Sequence, residues 1–331
     1  MSNLELIKQL RSLTQAGMKD CQDSLEESGW DLNKAVDIIK TKGLAIANSR
    51  SGKIPAEGMV STSGVYFSDW LEHKSPHNGV SPNSAINFKH TLFIAEVNCE
   101  TDFVASNPDF IDFNYHVHDA LAAYAVGGSV IPDDAFDRGE KYSTVHRNAR
   151  LELISKVKEN VVVRRHSFLR TKDPLVEGFS YTHSNKKLSV ILQLRGSNIQ
   201  STDNPAFKQL GEDLAMQIAA MNPLAISKDK LLLEDVERQR NIFATQVAEL
   251  NKPQAALSKI LDGKFAKWHT EVCLLDQECI TSPKKSVQQH IEDVECKVGG
   301  KIEVVDFIRY EVGEGLEKKS SDLAGEVSKM M

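Results

Sequence analysis

One pattern occurs twice in this chain, 97 residues apart. Asn107-Pro108-Asp109-Phe110 matches Asn204-Pro205-Ala206-Phe207, and at the same offset Phe113 meets Leu210, Val117 meets Leu214 and Leu121 meets Ile218. Apolar residues at this spacing make one stripe along a helix. An apolar run precedes each helix, at 92–97 and at 188–194. Runs rich in β-branched and aromatic residues read as buried strands. The body is therefore expected to be two related half-units, each a strand feeding a helix that packs back on a sheet. Chance agreement of two amphipathic helices is the duller alternative, and the doubled Asn-Pro-x-Phe weighs against it. The fold class is α+β with antiparallel sheets.

The two copies differ in one loop. The first strand is expected to stop near Asn98, which leaves Thr101, Asp102, Phe103 and Val104 on the connection to a helix that starts at Asn107-Pro108-Asp109. The matching stretch 196–203 has no aromatic residue. Two readings stay open for the first loop. An acid and an aromatic side by side form a probe on a rigid base, or Phe103 folds into the core and Asp102 caps the helix.

The flanking segments divide the chain further. Residues 1–57 read as a three-helix module with a linker. Leu6, Leu10 and Leu13 face inward on the first helix, and Cys21 and Leu25 on the second. The third helix is capped by Asp31, carries Leu32, Ala35, Val36 and Ile39, and ends at Gly43. Residues 44–57 are polar and basic and read as the linker. The first half-unit is assigned to 58–160, with 65–90 an insertion and 127–134 rich in turns. The second is assigned to 161–312. Within it, about 234–266 forms a helical hairpin of two helices, 234–249 and 254–266. A strand at 302–312 ends at Gly313-Glu314-Gly315, and 313–331 is a short amphipathic tail.

Composition excludes several function classes. The formal net charge of −6 gives no global reason to bind nucleic acid. No run of about 18 apolar residues occurs, and Met1-Ser2-Asn3-Leu4-Glu5 lacks the basic head and apolar block of a secretory leader. The expectation is a cytoplasmic protein. Five cysteines with no Cys-x-x-Cys spacing argue for reduced thiols. The ten histidines show no metal-helix spacing. There is no Gly-x-Ser-x-Gly elbow and no phosphate-binding loop. Cys99 at the end of a buried strand reads as a packed thiol, not a nucleophile. No catalytic, cofactor or metal site is read from these residues.

The stretch Glu96-Val97-Asn98-Cys99-Glu100-Thr101-Asp102-Phe103-Val104-Ala105 closely resembles the signature of the bacterial elongation factor Ts family. The N-terminal Leu-Arg-x-x-Thr-x-Ala-Gly-Met-x-Asp-Cys and the late Phe-x-Arg-Tyr-Glu-Val-Gly-Glu-Gly-Leu-Glu-Lys resemble other parts of it. The resemblance covers nearly the whole chain outside 65–90. It implies an N-terminal module of the ubiquitin-associated type. It also implies a partner, elongation factor Tu, from which the family promotes release of GDP. By the same resemblance, Phe103 wedges between helices of the partner's G domain while Asp102 disturbs the region around Mg²⁺ and the phosphates. Thr101 and Val104 complete that motif, and Arg11 and Met18 match the N-terminal signature that touches the G domain. Gln22-Asp23-Ser24-Leu25 departs from the usual Lys-Lys-Ala-Leu. Gln217 stands where a histidine is common, and can offer an amide but no charge. Two rivals differ in class. A ubiquitin-type adaptor explains only the first 57 residues, and a thiol- or histidine-dependent enzyme lacks a recognisable site.

Overall fold

The computed structural model describes residues 2–14, 16–50, 53–66, 90–126, 143–248, 250 and 253–316. The insertion at 65–90, the turn-rich stretch 127–134 and the tail beyond Leu316 lie largely or wholly outside them. The elements in chain order are α1 (Asn3–Thr14), α2 (Met18–Glu27), α3 (Leu32–Arg50), β1 (Glu57–Tyr66), β2 (His90–Cys99), α4 (Asp102–Ala105), α5 (Pro108–Val126), α6 (Ser143–Val157) and β3 (Val162–Thr171). They continue with β4 (Val176–Thr182), β5 (Leu188–Gly196), α7 (Ile199–Asp203), α8 (Pro205–Met221), α9 (Leu233–Ala248), α10 (Gln254–Val272), α11 (Val287–Val298) and β6 (Ile302–Glu311). Two three-stranded antiparallel sheets result, in the orders β1-β2-β3 and β4-β5-β6. In the second, Val176 pairs with Arg195 and Phe179 with Leu192.

By contacts the chain forms two compact units. The first comprises Met1–Ser61, Ala95–His166 and Tyr310–Met331, and the second Thr62–Ile94 and Ser167–Arg309.

In the first unit α1, α2 and α3 close over Ile7, Leu10, Ala16, Cys21, Leu25, Ala35 and Ile39. The Asp31 side chain caps α3 as expected, accepting the Lys34 N–H at 3.1 Å. Two expectations for this module are corrected. Leu13 is 58% exposed and points away from the core, so Leu10 and Thr14 carry the inner face instead. Helix α3 does not end at Gly43 but runs on to Arg50, through the first half of the presumed linker. Gly43 is a contact point: a Cβ there would lie 2.5 Å from the Leu151 carbonyl oxygen. The missing side chain lets α3 and α6 approach closely, which outweighs the roughly 1 kcal/mol of helix propensity that glycine gives up.

In the second unit β5 contributes Val190, Leu192 and Leu194 to a core that α8 covers with Phe207, Leu210, Leu214 and Ile218. Val287, Ile291 and Val294 of α11 and Ile302 and Val304 of β6 complete it. Gly211 is again a contact point, since a Cβ would meet the Phe179 ring at 2.3 Å. Helices α9 and α10 form the expected antiparallel pair, with Phe243 against Phe265 at 5.3 Å and Lys264 bonded to Gln246. The second of them extends to Val272, six residues beyond the predicted end.

Candidate functional site

The site is built at the end of β2. All ten residues of this strand are buried. The chain leaves it at Cys99 and turns at once into α4, where the sequence suggested a loop. Thr101 is extended, with φ −129° and ψ 154°, and its hydroxyl accepts the Val104 N–H at 3.3 Å. That is the geometry of an N-cap. Val104 is the buried side of the turn. Asp102 and Phe103 are on the outer side, and Phe103 is 84% exposed. The second of the two open readings is excluded: Phe103 does not fold into the core, and Thr101 caps α4 and Asn107 caps α5 in place of Asp102. Leaving a ring in water forgoes about 1.5–3 kcal/mol of burial.

Two carboxylates fix this turn. Glu159, just beyond α6, accepts the N–H groups of Glu100 and Thr101 at 3.1 and 3.0 Å and the Thr101 hydroxyl at 2.6 Å. Glu100 reciprocates by accepting the Asn160 N–H at 2.8 Å. It also takes both contacts of Arg50 Nη1, at 3.0 and 2.8 Å, and lies 3.3 Å from Lys53. Burial opposes the charge on Glu100, but the Asn160 N–H, Arg50 and Lys53 together hold its carboxyl below the usual range. Lys158 has φ 59° and its N–H closes on the Ile154 carbonyl at 2.9 Å, which ends α6 and turns the chain so that Glu159 faces α4. The Cys99 thiol lies 3.1 Å from the Thr101 carbonyl. Burial, then the nearby Glu159 charge, pushes its pKa up to about 12. A thiol so protonated is a packing group.

The second copy repeats this construction. Asn198 caps α7 through the Ser201 N–H, and Asn204 caps α8 with Pro205 in its first turn. The stretch 196–203, expected as a loop, is therefore also a one-turn helix after an extended cap. Ile199 and Gln200 stand where the first copy has Asp102 and Phe103.

Arg11 and Met18 are exposed on the N-terminal module, Met18 at 44%. Gln217 belongs to the second unit and is fully buried. Its Nε2 donates to the Gln277 side chain and the Glu278 carbonyl, both at 3.1 Å, and its Oε1 accepts the Ile280 N–H at 2.9 Å. The amide thus serves its own chain. His118 is buried, and no group of three or more His, Cys, Asp or Glu among the described residues is arranged to hold a metal ion. Among the described residues no helix is long and apolar enough to cross a membrane. Sequence reasoning passed over Glu100, Glu159 and Arg50. Nothing local marks Glu159, which lies 58 residues from Thr101.

The family model described as Elongation factor TS matches residues 100–314, from Glu100 to Glu314 in the turn after β6. The chain belongs to the elongation factor Ts family. Elongation factor Ts of Clostridium kluyveri (strain NBRC 12016) is 34% identical over 335 residues, covering 100% of this chain and 99% of its own. That of Clostridium perfringens (strain SM101 / Type A) is 34% identical over 330 residues, with the same coverage. That of Clostridium tetani is 32% identical over 335 residues and covered completely on both sides. Membership makes the chain a translation elongation factor, as the signature around Phe103 implied.

Proposed function

We propose that the chain binds elongation factor Tu·GDP in the cytoplasm and promotes release of GDP, so that GTP can load. The observation that carries this reading is the exposed Phe103 on a turn whose backbone is fastened by Glu159. A large ring left in water on a stiff support suits insertion into a partner, because little conformational freedom remains to be lost on binding. A buried aromatic anchor supplies about 2 kcal/mol or more of interface energy. Asp102 beside it brings a carboxylate to the partner's Mg²⁺ and phosphate region, where it competes with the metal's own oxygen ligands. No acid, base or nucleophile is needed. The linkage is reciprocal: whatever factor the bound chain takes from GDP affinity, GDP takes from the chain's affinity. Arg11 and Met18 on the N-terminal module are secondary contacts in this reading.

The test is release of fluorescent GDP from purified elongation factor Tu. The chain is expected to accelerate release, and Phe103→Ala and Asp102→Ala to slow it while remaining folded. Acceleration undiminished in both variants would refute the assignment of the site.

A further inference from the structure

The geometry points to Glu159 as the positioning residue of the Phe103 turn, a role that rests on the exchange reading above and extends it to a residue outside the motif. Three donors converge on its carboxylate: the N–H groups of Glu100 and Thr101 and the hydroxyl of Thr101. All three belong to the two residues that precede α4. The Thr101 hydroxyl that donates to Glu159 is the same oxygen that accepts the Val104 N–H. The carboxylate therefore orients the cap of α4, and through the cap the direction in which Phe103 leaves the body.

The connection runs in both directions. Glu100 accepts the Asn160 N–H, so the turn after β2 and the turn after α6 each receive a carboxylate from the other. Neither turn has a regular ladder to fix it here. A one-turn helix is not stable by itself, because nucleation fixes several dihedrals for one hydrogen bond. Val104 gives it a single buried side chain. The helix's own backbone bonds and the Ser106 hydroxyl on the Asp102 carbonyl close the turn, and the Glu159 carboxylate with the cap that it orients ties the start of α4 to the body. Without that carboxylate, the Thr101 hydroxyl can rotate away and two partly buried N–H groups lose their acceptor. Phe103 then samples several directions, and a displacement of about 1 Å at a positioned group is enough to cost up to a hundredfold in rate.

The consequence is separable from global stability. Full-length Glu159→Ala, Glu159→Gln and Phe103→Ala are compared by fluorescent-GDP release from elongation factor Tu over a range of chain concentrations. Amide hydrogen exchange of each free variant is measured alongside. Glu159→Ala is expected to lower the release rate at saturation about tenfold. It is also expected to speed exchange of the amides of residues 100–104 without changing that of the three-helix core. Glu159→Gln is expected to recover most of both, since its oxygen can accept the two N–H groups and its Nε2 can donate to the Thr101 hydroxyl. Should Glu159→Ala not fold, Glu159→Asp replaces it, keeping the charge but falling one methylene short. Wild-type saturating rate and wild-type protection at 100–104 in whichever of these variants folds would overturn the inference. A slow Phe103→Ala beside a normal Glu159 variant would sink this inference alone, whereas a normal Phe103→Ala would sink the exchange site itself.

Discussion

The Gly313 N–H donates to Glu96 Oε1 at 2.8 Å, joining segments 217 residues apart in the chain. Glu96 is fully buried in β2, and it also accepts from Arg164 Nη1 and Arg165 Nε of β3. Arg165 lies over the Tyr310 ring at 4.0 Å and donates to the Glu311 carbonyl, while Arg164 reaches the Glu314 carbonyl. The one carboxylate of this buried strand thus organises the stretch from Tyr310 to Glu314. It gives a physical reason for the Arg-Tyr-Glu-Val-Gly-Glu-Gly run and the signature strand to occur together.

Glu96→Ala is expected from this to destabilise the first unit strongly. It takes the acceptor of the Gly313 N–H and one carboxylate from two part-buried guanidinium groups, which keep their contacts to Glu311 and Glu314. Breaking a buried ion pair on one side costs about 3–5 kcal/mol. Glu96→Gln keeps an acceptor for Gly313 and is expected to lose less. Urea unfolding of the three proteins ranks them, and equal midpoints would show that the cluster contributes nothing.

Phe103→Ala is expected to behave in the opposite way. The ring is 84% exposed and makes no core contact to lose. Surface changes of this kind stay within about 0.5 kcal/mol. The urea midpoint should be unchanged, while affinity for nucleotide-free elongation factor Tu falls by about thirtyfold, the equivalent of ~2 kcal/mol. A shifted midpoint with unaltered affinity would mean that the ring serves the fold.

How much of this was legible in the chain depends on the range of the signal. The doubled helices could be read because Phe110 and Phe207, with their stripes, repeat locally and follow Asn-Pro starts. Both phenylalanines are fully buried, as that pattern requires. Gly43 was misread because a glycine in a helical pattern signals either a stop or a close approach, and only Leu151, distant in sequence, decides which. The motif at Thr101 to Val104 was legible, but its support was not. Hydrogen bonds that Glu159 accepts from residues 59 and 58 positions away leave no periodicity behind. Glu96 did leave a trace, as a carboxylate inside a run of buried apolar residues.

The thiols give a simple count. Cys21, Cys99, Cys273 and Cys279 are buried and Cys296 is exposed. Burial pushes Cys99 to about 12 and Cys273 to about 11, so neither offers thiolate near neutral pH. A thiol reagent at pH 8 is expected to titrate about one group in the native chain and all five after denaturation. Rapid reaction of Cys99 in the native protein would contradict the packed site.

His118 sets a pH dependence. Burial lowers its pKa from 6.5 to about 4, and the Ser61 hydroxyl lies 2.7 Å from its Nε2. The folded value is below the unfolded one, so the unfolded chain binds the proton first as pH falls. The stability from neutral His118 is complete above about pH 6.5 and is lost progressively towards pH 4. By pH 4.5 the loss is on the order of 2–3 kcal/mol. His118→Gln is expected to flatten this part of the urea-midpoint profile between pH 7.5 and 4.5. A slope as steep as in the parent protein would assign the dependence to other groups.

Gln217 tests whether a matched family position acts at a surface or within the core. Its three hydrogen bonds, to Gln277, Glu278 and Ile280, fasten α8 to the segment that leads into α11. Gln217→Leu preserves the volume closely but leaves the Ile280 N–H and the Glu278 carbonyl without their partner. Each such group costs about 1–3 kcal/mol when water cannot reach it. The variant is expected to unfold at lower urea, and, at a temperature where it is folded, to match the parent chain in the GDP-release assay. Gln217→His restores one donor and one acceptor in a different geometry and should fall between the two in stability. If Gln217→Leu kept its stability but lost exchange, the amide would have to turn outward in the complex, and the buried arrangement would describe only the free chain.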